Sequence, residues 1–368
     1  MTADAVGGVW TYALELTRAL AERGVVVSLA TMGAPLSSSQ RAEAESIANL
    51  EVFESDYKLE WMDDPWSDVR EAGEWLLSLE ERIRPDVIHL NGYAHGAIGW
   101  RAPVLVAGHS CVLSWWQAVR GCAAPAQWNQ YRAEAARGLS AANIVIAPTR
   151  AMLAALEDHY GPIRDGRVVY NGRDASLFEV RAKSDFVMAA GRLWDEAKNI
   201  SALGRAASQI VWPALLAGDQ KHPNGSDVDV VFAPNVHLLG QLSQQQIAIW
   251  LSRASIYALP ARYEPFGLSA LEAGLSGCAL ALGDIPSLRE VWGDAAVFVP
   301  PDDIGTLRDA IEELMENTAL RADYGARALI RAREFTPERM AAGYLKAYAD
   351  LMAGRDEKTP HMVTNYGV

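Results

Sequence analysis

The chain has 368 residues, half of them apolar, and a formal net charge of −13. That is enough apolar chain for two or three cores, and the negative charge argues against a role in docking nucleic acid or anionic membranes. Three cysteines (Cys111, Cys122, Cys278) without paired spacing, no apolar run of membrane-spanning length and no signal-peptide pattern at "MTADAVGGVW" lead to the expectation of a cytoplasmic protein without stable membrane insertion.

Taken in order, the chain opens on "DAVGGVWTYALELTRALAERG", a Gly-Gly pair ahead of a long amphipathic helix. Gly7 and Gly8 permit close backbone approach, and the helix start offers free N–H groups, a combination suited to a phosphate or a sugar hydroxyl. A plain strand-to-helix turn uses the same residues. A doubly wound domain normally has a strand feeding this turn. Only "MTA" precedes it, so the first strand is expected to be missing and the chain to start late relative to a fuller protein. The runs "GVVVSLAT", "LEVFES", "DVIHLNG", "APVLVAGHS" and "NIVIAPT" then read as strands, separated by amphipathic stretches such as "DVREAGEWLLSLEERI" and "RAMLAALEDHY". Near-continuous apolar strands alternating with helices predict a parallel sheet covered on both faces. His109 stands at the end of one of these strands, the edge where such folds bind ligands. His89 and His95 fit packing or hydrogen-bonding roles better.

A second series follows: "DFVMAAG", "PALLAGD", "DVVFAP", "IYALP", "ALALGD" and "AVFVP", alternating with "NISALGRAASQI", "SQQQIAIWLSRA" and "DIGTLRDAIEELMEN". The prediction is two tandem Rossmann-like α/β domains, 1–170 and 171–335, joined near Asn171 to Lys183. A helix at 336–354 is expected to pack back on the first domain, and 355–368 to form a flexible tail.

Within the second series, "AAGRLWDEAKNI" sets Arg192 just past a strand and Lys198 six residues later, with Asn199 placed to cap the next helix. Two cations at a strand's C-terminal edge can neutralise a diphosphate, or form a solvated basic pair beside Asp195 and Glu196. "ARYEPFGLSALEAG" sets Glu264 in a loop and Glu272 inside the helix that follows. The backbone N–H groups near Phe266, Gly267 and Leu268 are there to meet an anion or hydroxyl, and carboxylates that far apart can grip different hydroxyls of one extended ligand. An ordinary acidic helix start is the alternative. No Asp-x-Asp pair is placed like a divalent-ion site, and there is no His/Cys cluster. Eight of the twelve tryptophans fall within the first 128 residues, and aromatic faces of this kind stack on sugar rings.

The Glu264-Pro265-Phe266-Gly267 to Glu272 pattern resembles the signature of the retaining glycosyltransferases of family four, a GT-B fold of two Rossmann-like domains facing across a cleft. "GGVWTYALELTRALAERG", "RPDVIHLNG", "VLVAGHS", "NIVIAPTRAM", "VVYNGRD", "HLLGQLS" and "GDIPSLREVWGDAAVFVPPDD" follow in the family's order over most of the chain. The resemblance implies that Arg192 and Lys198 hold the donor diphosphate and Glu272 the ribose. It gives Glu264 contact with the donor sugar, and Phe266, Gly267 and Leu268 the supply of amides. It sets Gly7 and Gly8 against the donor phosphates from the other domain, His109 near the reacting carbon, and the loop around Gly240 along the base. It implies metal-independent transfer of a hexose from a nucleotide-diphosphate sugar, UDP-glucose by default, with no cofactor beyond that co-substrate. The first domain is expected to receive a small-molecule or glycan acceptor. A nucleotide-sugar epimerase of the same architecture, a sucrose- or trehalose-type synthase or phosphorylase, and an inactive nucleotide-sugar-binding protein are the rivals. The sequence gives no sign of oligomeric state.

Overall fold

The computed structural model describes residues 1–5, 7–219 and 233–356. In the first domain, β1 (Thr2–Asp4), β2 (Val27–Met32) and β3 (Leu50–Glu54) form one parallel sheet, and β4 (Ile88–Leu90), β5 (Val104–Ala107), β6 (Ile144–Ala147) and β7 (Gly166–Val168) form another. The two abut where β1 meets β4. There the Asn91 backbone N–H donates to Thr2 Oγ1 (2.9 Å) and the Asn91 side-chain amide donates to the Thr2 carbonyl (2.6 Å). The spatial order is thus β3-β2-β1-β4-β5-β6-β7. The expectation of a missing first strand is corrected: β1 is present, only three residues long, and pairs in parallel with β2 from Thr2↔Ala30 to Asp4↔Met32.

The second domain is one parallel sheet of order β10-β9-β8-β11-β12-β13, with β8 at Ser184–Ala190, β9 at Ala214–Ala217, β10 at Val236–Gly240, β11 at Ala254–Leu259, β12 at Ala279–Gly283 and β13 at Val297–Val299. Most of "DVVFAP" lies outside the described residues. The strand beside β9 is instead "VHLLG", which the sequence reading treats as a loop around Gly240.

The interior strands "VLVA", "IVIA", "ALLA", "ASIYAL" and "ALALG" are buried along their whole length. Helices cover both faces of these sheets, so their sequences are apolar throughout rather than alternating. The helix Pro337–Asp356 runs two residues into the expected tail, the rest of which lies outside the described residues. It packs on the helix Gly8–Ala21 through Met340, Ala341, Tyr344 and Tyr348. His89 stacks on Tyr344 (centroids 5.1 Å apart) and bonds the Tyr348 hydroxyl (2.6 Å). His95 meets the Val69 carbonyl at 2.9 Å. Both imidazoles are buried and held down in pKa chiefly by that burial, so they serve packing.

Candidate active site

A cleft of about 1730 Å³ separates the two domains and opens over the C-terminal ends of their strands. That edge is where open parallel sheets bind ligands. On the second domain, the chain leaves β8 through Gly191 and Arg192 and makes a 3-10 turn at Glu196–Lys198. The carbonyl of Ala197 in that turn accepts the Arg262 N–H (2.8 Å), which ties it to the loop after β11. The tie sets the Lys198 ammonium against the Glu264 carboxylate in a largely buried ion pair. Arg192 Nη2 meets Asp195 Oδ2 at 2.9 Å, and its guanidinium lies over the Trp194 ring. Burial alone would raise the Asp195 carboxyl. Arg192, Lys198 and the hydrogen bonds from Trp115 and Ala197 outweigh it and hold the carboxyl below its ordinary range. Asn199 stands at the N-cap position of the helix Ile200–Ala207, as expected, but its side chain makes no capping hydrogen bond. Its backbone is left-handed (φ 56), and its amide donates instead to the carbonyls of Pro260 (3.0 Å) and Pro301 (2.6 Å).

The loop after Glu264 turns at Pro265 and enters the helix Leu268–Leu275 through Gly267, whose φ of 91 suits glycine. Leu271 donates to the Gly267 carbonyl (3.0 Å), the first bond of the helical turn. Phe266, Gly267, Leu268 and Ser269 line the cleft ahead of it, so the helix start and the two cations border one space.

The first domain faces them with its own glycine turn. Gly7 (φ 103) is the N-cap of the helix Gly8–Ala21; a Cβ there would stand 3.6 Å from Arg192 Nη1, and one on Gly8 3.6 Å from Leu268 Cδ1. His109 also borders the cleft, packed against the Tyr12 ring at 4.3 Å. Its Nε2 lies 2.8 Å from Asn91 Oδ1. Because the Asn91 amide nitrogen donates to Thr2, that oxygen is the acceptor and Nε2 carries the proton. Nδ1 is left with a lone pair, so neutral His109 can accept a hydrogen bond from a hydroxyl but cannot protonate one. Burial pushes its pKa down to about 4. Stability should therefore decline as pH falls from 6.5 towards 4, where the unfolded imidazole takes a proton that the folded one refuses. The His109 share at pH 4.5 is about 2–3 kcal/mol at most. Urea unfolding of wild type and His109→Gln at pH 7.5 and 4.5 checks this: the wild type should lose more, and equal losses would contradict it.

Glu272 lines the cleft from inside the same helix. Its partner is one that sequence reasoning missed. Arg173, 1% exposed, gives Nη2 to Glu272 Oε1 (2.9 Å) and Nη1 to Glu15 Oε1 (2.7 Å). Glu15 lies on the first-domain helix Gly8–Ala21 and also accepts the Asp174 N–H (3.1 Å). Burial raises both carboxyls above their ordinary range against the pull of Arg173. Gly240 is the candidate that does not reach the site: it ends β10, while its neighbours Gln241 and Leu242 line the cleft.

Polar contacts cross between the domains beside the cleft. The Thr149 hydroxyl donates to the Pro265 carbonyl (2.9 Å) and Trp115 Nε1 to Asp195 Oδ1 (3.1 Å). The Cys111 N–H donates to the Tyr263 hydroxyl (2.9 Å). Glu290 accepts the N–H groups of Arg150 (2.8 Å) and Ala151 (3.0 Å), a carboxylate of one domain at a helix start of the other. Of the early tryptophans, Trp61, Trp66, Trp115, Trp116 and Trp128 line the cleft, Trp66 and Trp128 while also packing on a first-domain core, and Trp10, Trp75 and Trp100 pack in cores away from it. Among the described residues no group of His, Cys, Asp and Glu is placed to hold a metal ion, and no helix is long and apolar enough to cross a membrane.

Residues 6–177 match the family model described as Glycosyltransferase Family 4, and residues 178–331 match Glycosyl transferases group 1. An O-antigen chain mannosyltransferase B of Escherichia coli is 28% identical over 113 residues, 31% of this chain and 30% of its own length. A D-inositol 3-phosphate glycosyltransferase of a Nocardioides species is 32% identical over 117 residues, 31% of this chain and 26% of its own. These alignments thus span under a third of those curated relatives. Sucrose-phosphate synthase from Thermosynechococcus elongatus superposes with a TM-score of 0.78 at 22% identity, covering 95% of this chain and 94% of that one. Anabaena HepE in complex with UDP-glucose gives 0.75 at 18% identity, covering 94% and 96%. These solved structures share the fold of two Rossmann-like domains. With the two family models matched in tandem from residue 6 to residue 331, the chain belongs to the glycosyltransferases of the family 4 type.

Proposed function

We propose that this chain transfers a hexose from a nucleotide-diphosphate sugar, with UDP-glucose the favoured donor, to an acceptor seated on the first domain, with retention of anomeric configuration and without a metal or other cofactor. The observation that carries the proposal is the convergence of Arg192, Lys198 and the amides at the start of Leu268–Leu275 on one side of the cleft, with the Gly7-Gly8 turn closing it from the other. As the bond from the sugar's anomeric carbon to the diphosphate breaks, negative charge gathers on the leaving oxygen, and fixed cations and helix amides stabilise it there. The acceptor hydroxyl attacks that carbon from the side the diphosphate leaves, and its proton passes to a phosphate oxygen. Glu264, braced by Lys198, holds sugar hydroxyls. Glu272, braced by Arg173, holds the ribose. His109 receives a hydroxyl through Nδ1.

The relatives support hexose transfer without agreeing on an acceptor: one is a mannosyltransferase, another a D-inositol 3-phosphate glycosyltransferase, and HepE was solved with UDP-glucose. A thermal-shift screen with UDP-, GDP-, ADP- and TDP-glucose tests the donor. UDP-glucose at 100 times its Kd stabilises the fold by about 2.7 kcal/mol and raises the melting temperature. No shift with any nucleotide sugar would overturn the proposal, and release of an epimer without acceptor would favour an epimerase. Once an acceptor is in hand, Trp116→Ala should raise its KM several-fold through lost stacking while leaving the donor KM unchanged; equal effects on both would remove Trp116 from the acceptor side.

A further inference from the structure

The first-domain wall of the cleft has a composition that the donor chemistry does not explain. Trp61, Trp66, Trp116 and Trp128 present aromatic surface along it, and the exposed amides of Gln127 and Gln130 lie beside them. The charges on this wall lean negative. Asp63 and Asp64 are both exposed on the segment between Trp61 and Trp66. The Glu60 carboxylate is held by the N–H groups of Tyr93 (3.0 Å) and Ala94 (2.7 Å).

Of the two cations on this wall, Arg120 is paired across the cleft, and Lys58 lies in the same short segment as the Asp63 and Asp64 carboxylates. Arg120 Nη2 meets Glu196 Oε1 of the opposite domain at 2.6 Å, and Lys58 Nζ donates to the Asp63 carbonyl at 3.1 Å. His109 is neutral. Recognition of a phosphate or carboxylate calls for free arginine or lysine, or several converging amides. Recognition of an uncharged sugar calls for aromatic faces against its C–H surface and for amides and carboxylates accepting its hydroxyl protons.

We propose that the acceptor taken by this wall is an uncharged carbohydrate, stacked on the tryptophans and gripped by amide and carboxylate side chains, and that sugar phosphates are discriminated against by Asp63 and Asp64. The inference rests on the glycosyl-transfer reading above and narrows its acceptor to one chemical class. Two carboxylates at the rim repel a phosphate dianion through partly screened solvent, which amounts to about a tenfold penalty in affinity.

The test uses the full chain saturated with UDP, with tryptophan fluorescence titrated against two matched pairs: D-glucose with glucose 6-phosphate, and myo-inositol with its 3-phosphate. Each is also offered as acceptor with UDP-glucose, and products are read by mass spectrometry. The neutral member of at least one pair should bind about tenfold more tightly than its phosphate and be the one glycosylated. In Asp63→Asn/Asp64→Asn that preference should shrink at least threefold while UDP affinity stays the same. The proposal is overturned if the phosphorylated members bind as well as or better than their parents, if neither binds although UDP does, or if the double variant leaves the preference untouched. UDP affinity, read in the same experiment, separates the two levels: failure to bind UDP sinks the donor reading and this inference with it, whereas normal UDP binding with the wrong acceptor preference sinks this inference alone.

Discussion

Arg173→Met is expected to cost about 3–5 kcal/mol of folding stability, the usual loss when one member of a buried ion network is removed. Arg173 is 1% exposed and Glu15 2%, and each of its terminal nitrogens meets a carboxylate at under 3 Å. Methionine fills much of the same volume, so little of the loss is a cavity effect; it comes from Glu272 left without its counter-charge and Glu15 left with only the partly exposed Arg18, 3.4 Å away. A triple variant, Glu15→Gln/Arg173→Met/Glu272→Gln, removes the stranded charges as well and should recover most of the loss. Urea unfolding at pH 7.5 measures all of them. Arg173→Lys should fall between, because an ammonium cannot serve two carboxylates with the planar fork of a guanidinium. A loss under 1 kcal/mol for Arg173→Met would mean that the network contributes little.

Lys198→Met is expected to lower kcat by about 10²–10³ with the fold retained. Lys198 sits at the meeting point of the 3-10 turn and the Glu264 loop, where its ammonium is mostly buried and already oriented by Glu264. A cation held in advance where charge develops costs no reorganisation during the reaction. Arg192 is more exposed and turns more freely, so Arg192→Ala should act more on donor KM than on kcat. Initial rates of UDP release from UDP-glucose separate the two effects, with circular dichroism as the check on folding. An unchanged kcat in Lys198→Met would remove that side chain from the leaving-group site.

Much of this arrangement is legible in the residues themselves. Long apolar runs announce interior strands of parallel sheets, and "RAMLAALEDHY" coincides with the helix Arg150–Tyr160. Arg192, Lys198, Glu264 and the Gly267 helix start are visible as a cluster because all stand just beyond strand ends in their own domain. Short strands are harder to see. Thr2–Asp4 and Gly166–Val168 are three residues each, too few to show a period, and what makes them strands is their neighbours β2 and β6. Val236–Gly240 ends in glycine and carries half-exposed leucines at the sheet edge, so its pattern resembles a loop. Arg173 is not legible from its own stretch of sequence. Nothing in "YNGRD" marks an arginine as buried; its environment is made by Glu15, 158 residues earlier, and Glu272, 99 residues later, which only the folded chain assembles. An arginine at the junction of two domains, in a chain with acids on the facing helices, was the one available hint.

The most direct test of the central claim is a crystal structure of the protein bound to UDP. The diphosphate is expected in the cleft, with its terminal phosphate within hydrogen-bond reach of Lys198, Arg192 and the amides at Gly267 and Leu268, and the ribose on Glu272. A diphosphate seated elsewhere, with those side chains still paired only to Glu264, Asp195 and Arg173, would contradict it.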